Sequence, residues 1–125
     1  MTKSNFWTDK EILVTGGAGF LGTYVVNKLL KKGISKENIF ISRSKDYDLR
    51  KQEDCEKVVK GMDIVIHLAA NVGGIGYNQE KPGILFYDNI LMGVHMMEEA
   101  RKAGVEKFIA LGTVCAYPKF TPVPF

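Results

Sequence analysis

The alternation of apolar runs and helical stretches along this chain predicts a doubly wound α/β domain built on a parallel sheet. Three observations carry that expectation. Each strand-like run is nearly all apolar, as in sheets covered on both faces. Each run but the last is followed by a stretch with helical spacing before the next begins. The first junction is rich in glycine, with Gly16, Gly19 and Gly22 between an apolar run and a helix pattern. With 125 residues there is room for one domain.

Taken in order, Glu11–Thr15 is a short strand of the buried type, ending in glycines. The helix after it carries Leu21, Val25 and Leu29 four apart, and Lys31, Lys32 and Gly33 give it a basic, glycine-capped end. Asn38–Ser42 reads as the second strand, and residues 50–60 as a short polar helix closed by Gly61. Asp63–His67 is the third strand, running on through Leu68 and Ala69. A glycine-rich loop follows. Pro82 then stands where proline best starts a helix, which runs to about Ala103 and Gly104. Lys107–Leu111 is the fourth strand. Residues 1–10 form a polar tail and residues 11–125 the domain. Three prolines in Tyr117–Phe125 exclude helix and central strand alike, so the domain is expected to be incomplete at its C-terminus.

Composition narrows the function classes. With 46% apolar and 25% charged residues, it is that of an ordinary globular domain. The net charge of +3 comes from dispersed lysines, with no basic run that would suggest nucleic acid. No stretch approaches the roughly 18 uncharged apolar residues of a membrane span. The N-terminus lacks the apolar run of a signal peptide. Two cysteines, Cys55 and Cys115, make no disulfide framework, and a reducing cytoplasm is the expected compartment.

The glycine junction carries the sharpest chemical implication. A strand that turns abruptly, lets a pyrophosphate approach its backbone and packs the next helix tightly needs three positions without side chains. Gly16, Gly19 and Gly22 supply them, and the helix beginning near Phe20 and Leu21 turns its positive end toward a phosphate. The end of the second strand helps choose the dinucleotide. An NAD site places an acid there for the ribose 2′-OH, and an NADP site an arginine. Here Ser42-Arg43-Ser44-Lys45 has no acid before Asp46, so Arg43 and Ser44, with Lys45, suit the 2′-phosphate of NADP(H).

The G-x-x-G-x-x-G spacing resembles the extended short-chain dehydrogenase/reductase family, Rossmann-type enzymes that use NAD or NADP, mostly on nucleotide sugars. That resemblance implies that Asp48 and Leu49 contact adenine and that Leu68, Ala69 and Ala70 lie along the cofactor. Asn71-Val-Gly-Gly-Ile-Gly-Tyr-Asn78 and Leu111-Gly-Thr-Val-Cys-Ala-Tyr-Pro-Lys119 resemble two signature segments of its GDP-L-fucose synthase branch. Plant-type GDP-mannose 3,5-epimerases share parts of both. The branch implies NADPH as reductant, a GDP-4-keto-6-deoxyhexose as substrate and GDP-L-fucose as product. It also implies that Thr113, where serine is more usual, bonds the 4-keto oxygen, and that Cys115 is the acid/base of epimerisation.

The family's catalytic Tyr-x-x-x-Lys pair and later histidine are expected beyond Phe125, so this chain is expected to bind a dinucleotide without turning over a sugar. Tyr24/Lys28, Tyr47/Lys51 and Tyr77/Lys81 match that spacing, but none follows Thr113. His67 and His95 have no partner at metal-ligand spacing and read as structural. The helix from Ile84 to Ala103 is apolar around most of its girth and so should be buried on more than one side. The resemblance implies a homodimer through that helix, burial under a C-terminal half being the alternative. A non-catalytic dinucleotide sensor is the alternative from another class.

Overall fold

The structure, a computed structural model, describes residues 6–122, with Val114 by its backbone alone. Residues 123–125 of the proline-rich segment and residues 1–5 of the tail lie outside the described residues. Four parallel strands, β1 (Ile12–Thr15), β2 (Ile39–Phe40), β3 (Ile64–His67) and β4 (Lys107–Ala110), lie in the order β2-β1-β3-β4. The helices are α1 (Phe20–Lys31), α2 (Gln52–Val59), α3 (Ile75–Glu80) and α4 (Pro82–Lys102).

The alternation of a strand sorts side chains to two faces. Leu13 and Val65 point to one face, where Cys55, Val58 and Val59 of α2 and Met96 and Ala100 of α4 cover them. Ile12, Val14, Ile64 and Ile66 point to the other, covered by Val25, Val26 and Leu29 of α1 and by Ile34. Both faces of β1 and β3 are buried, which is why these strands read as unbroken apolar runs.

Three elements differ from the sequence reading. The second strand is confined to Ile39–Phe40, because Lys36–Asn38 forms a 3-10 turn and Arg43 opens another, its carbonyl accepting from Asp46 and Tyr47. The third strand stops at His67: the Leu68 amide still reaches the Thr15 carbonyl of β1, but the Ala69 amide is taken by the Thr15 hydroxyl, which Leu68 shares. The segment read as a glycine-rich loop contains α3, hidden by Gly73, Gly74 and Gly76.

The tail is tied down where it is described. Trp7 packs beside the α1-side core, and Lys10 pairs with Glu106 at 2.6 Å, joining the start of β1 to the start of β4. Helix α4 buries Leu85, Asp88, Met96, Glu99 and Ala100. Its other side, with Phe86, Tyr87, Ile90, Val94 and Met97, is exposed among the described residues. No helix among the described residues is long and apolar enough to cross a membrane.

Candidate functional site

A cavity of about 810 Å³ opens across the carboxyl ends of the strands, within the usual size of cofactor sites. The strand order reverses between β1 and β3, and α/β folds bind ligands at such a switch point. The structure brings all twelve residues singled out for a dinucleotide to this one wall. Gly16, Gly19, Phe20, Leu21 and Gly22 come from the first turn, and Arg43, Ser44, Asp48 and Leu49 from the segment after β2. Leu68, Ala69 and Ala70 come from the exit of β3. Leu21, grouped with the α1 core stripe by spacing, instead faces the cavity and is 42% exposed.

The glycine turn is shaped by contacts no side chain would permit. Gly16 has φ +68°, and a Cβ there would lie 2.9 Å from the amide nitrogen of Ala69. A Cβ on Gly22 would overlap the carbonyl oxygen of Gly16 and lie 2.5 Å from Gly17 Cα. Gly19 caps α1 without a side chain, leaving the first-turn amides uncapped by the cap residue. Under this turn the Thr15 hydroxyl accepts from Leu68 and Ala69, both at 3.1 Å. With its oxygen so engaged, it donates to His67 Nδ1 at 2.8 Å, which sets the Nε2–H tautomer. Burial holds the His67 imidazole below its ordinary pKa, and it is a brace between β1 and β3.

Beyond β2 the wall turns polar. Ser42 is 7% exposed and its hydroxyl has no hydrogen-bond partner among the described residues. Arg43 and Ser44 beside it are exposed, and Arg43 forms no ion pair among the described residues. Further on, Arg50 forks onto Asp48, Nε to Oδ1 at 2.9 Å and Nη2 to Oδ2 at 3.0 Å, and reaches Asp88 of α4 at 3.3 Å. The guanidinium holds the Asp48 carboxyl below the usual carboxylate range. Asp88, 5% exposed, also accepts from Asn71 Nδ2 at 2.9 Å. The Asn71 backbone and Asn89 side chain exchange two further bonds of 2.8 Å. One helix thus clamps the segments leaving β2 and β3. Sequence reasoning missed Arg50 and Asp88 as cavity residues, and no local signal links positions 38 residues apart.

Thr113 and Cys115 are exposed, past the end of β4, and the Cys115 amide donates to Thr113 Oγ1 at 3.2 Å. Neither lines the cavity, although Leu111 just before them does. The other thiol, Cys55, is buried, donates to the Leu49 carbonyl and is pushed up to about 12 by burial, so it is chemically quiet. Of the early tyrosines, Tyr24 stacks edge-on with Phe20, Tyr47 packs on Phe40, and Tyr77 donates to Asn71 at 3.4 Å. Among the described residues no group of His, Cys, Asp and Glu could hold a metal ion.

Tested against a dinucleotide, these residues fit: the backbone cradle excludes side chains, a buried hydroxyl lacks a partner, and cationic and amide donors line one wall. Parallel strands around a glycine turn, with the cavity at the switch point, define a Rossmann-like α/β domain. Residues 12–125 match the NAD dependent epimerase/dehydratase family, and the chain belongs to it. It is 30% identical to GDP-mannose 3,5-epimerase 1 of rice (Oryza sativa subsp. japonica), over 96% of this chain and 35% of that protein. It is 32% identical to GDP-L-fucose synthase of Sinorhizobium fredii, over 92% of this chain and 36% of that protein. Among solved structures, a GDP-L-fucose synthetase from Naegleria fowleri bound to NADP superposes with a TM-score of 0.74 at 32% identity, covering 94% of this chain and 35% of that one. The chain therefore spans about a third of the length of these relatives.

Proposed function

We propose that this domain holds the cofactor of an NADPH-dependent epimerase/reductase that converts a GDP-4-keto-6-deoxyhexose to GDP-L-fucose. The observation that carries the proposal is the cavity itself, which joins the glycine cradle to Arg43 at a strand end without an acid. The similarity to GDP-L-fucose synthases, one of them bound to NADP, supports it.

In this reading the Gly16–Gly22 turn holds the pyrophosphate, and Arg43 with Ser44 the 2′-phosphate. Asp48 and Leu49 meet adenine, and Leu68, Ala69 and Ala70 lie along the cofactor. Bound NADPH supplies the hydride that reduces the keto group. Thr113 donates to the keto oxygen, so that protons on the neighbouring carbons become acidic, and Cys115 is the acid/base on one face of the sugar, inversion needing a second acid/base on the other. The whole protein works as a cytoplasmic homodimer, paired through the exposed apolar side of α4.

A second reading, a GDP-mannose 3,5-epimerase, is favoured by the 30% identity to the rice enzyme across nearly the whole chain. One experiment separates the two. The whole protein is incubated in D2O with NADPH and GDP-4-keto-6-deoxy-mannose, or with NAD+ and GDP-mannose. The synthase reading expects NADPH oxidation matched to product, with deuterium at two carbons, from the keto sugar alone. Deuterium entering GDP-mannose with no net reduction of NAD+ would establish the epimerase instead.

A further inference from the structure

We propose that Ser42 is a cofactor-specificity residue whose buried hydroxyl is reserved for the 2′-phosphate of NADP(H). The inference rests on the NADP reading above and adds to it a residue which that reading does not use.

Ser42 follows the short strand β2, twenty positions after Gly22, as residue numbers 22 and 42 show. That is about where an NAD-type site carries the acid that accepts from the ribose 2′-OH. A carboxylate there would repel a 2′-phosphate, whereas a hydroxyl donates to it. The side chain lines the same cavity as Arg43 and Ser44 and is 7% exposed. Its Oγ has no partner among the described residues, although buried hydroxyls are normally satisfied. An unmade hydrogen bond at a buried position costs stability, so a hydroxyl kept in that state is consistent with a ligand that completes it. Next to it, Arg43 supplies the charge that draws a phosphate to this corner, and Ser42 the short, directional donor.

This arrangement predicts opposite effects on stability and binding, which a merely structural serine would not produce. Without cofactor, Ser42→Ala removes an unsatisfied polar group and should raise the melting temperature by about 3–5 °C. With cofactor, it should weaken NADPH about tenfold and leave NADH within about twofold. Ser42→Asp should reverse the preference toward NADH. Titrations of the unmodified domain and both variants with NADPH, NADH, 2′,5′-ADP and 5′-ADP test this, alongside thermal melts. The 2′,5′-ADP arm should follow NADPH and the 5′-ADP arm NADH. If Ser42→Ala keeps the full NADPH preference, or weakens both cofactors equally, the assignment of Ser42 is overturned while the NADP reading stands. If the unmodified domain itself shows no preference, both are overturned.

Discussion

Gly22→Ala is expected to weaken NADPH binding at least about a hundredfold and to lower the melting temperature by about 4–8 °C. Two effects oppose each other at this site. Alanine is the better helix former by about 1 kcal/mol, and Gly22 lies in the first turn of α1. Its Cβ would overlap backbone, the Gly16 carbonyl oxygen, with Gly16 C at 2.8 Å. Backbone cannot rotate aside as a side chain can, and overpacking of this kind costs about 1–3 kcal/mol or more. The clash wins. Relief requires α1 to back away from the Gly16–Gly19 turn, which takes the helix amides from any phosphate held there. Gly93→Ala is the control, since a Cβ at that α4 position meets nothing within 4 Å. It should stabilise the domain slightly and leave binding unchanged. Isothermal titration and melting of the two variants decide the matter, and normal binding by Gly22→Ala would rule out the cradle.

Cys115→Ser is expected to slow solvent deuterium uptake into the keto sugar by about 10²–10⁴-fold in the whole protein. Serine keeps the size of the side chain, and the backbone amide that donates to Thr113 Oγ1 is untouched, so the turn should survive. What changes is proton affinity: a thiolate forms near neutral pH far more readily than an alkoxide. Hydride transfer to a sugar already epimerised should fall by less than about tenfold, because no proton leaves carbon in that step. Equal losses in both steps would show that the cysteine only shapes the turn. Cys55 provides no rival base, being buried among α2 and β-sheet side chains.

Much of this fold was legible because its signals are local. Unbroken apolar runs such as Ile12–Val14 and Ile64–Ile66 report burial on both faces, and four glycines within seven positions report a tight turn. Gly16 to Gly22, Arg43 and the Leu68–Ala70 stretch are therefore traceable to one cavity from the sequence. Other features depend on tertiary partners. The Thr15 hydroxyl gathers the Leu68 and Ala69 amides just past β3, which neither residue's propensity forecasts. Asp88 reads as an acid in the apolar stretch of its helix until folding places it against Arg50 and Asn71. Helix α3 is masked by glycines that raise the cost of a helix. The apolar outer side of α4 could not be sorted by periodicity, since periodicity says that a face is apolar and not what covers it.

The cavity across β1 and β3 is proposed to take NADP rather than NAD. A direct titration of the unmodified domain with NADPH and with NADH tests it, repeated on Arg43→Ala. A charge-assisted bond to phosphate is worth about 1.5–3 kcal/mol, so NADPH should bind about ten- to a hundredfold more tightly than NADH. Arg43→Ala should remove most of that difference by weakening NADPH alone. Equal affinity for the two dinucleotides in the unmodified domain would show that this cavity does not select NADP.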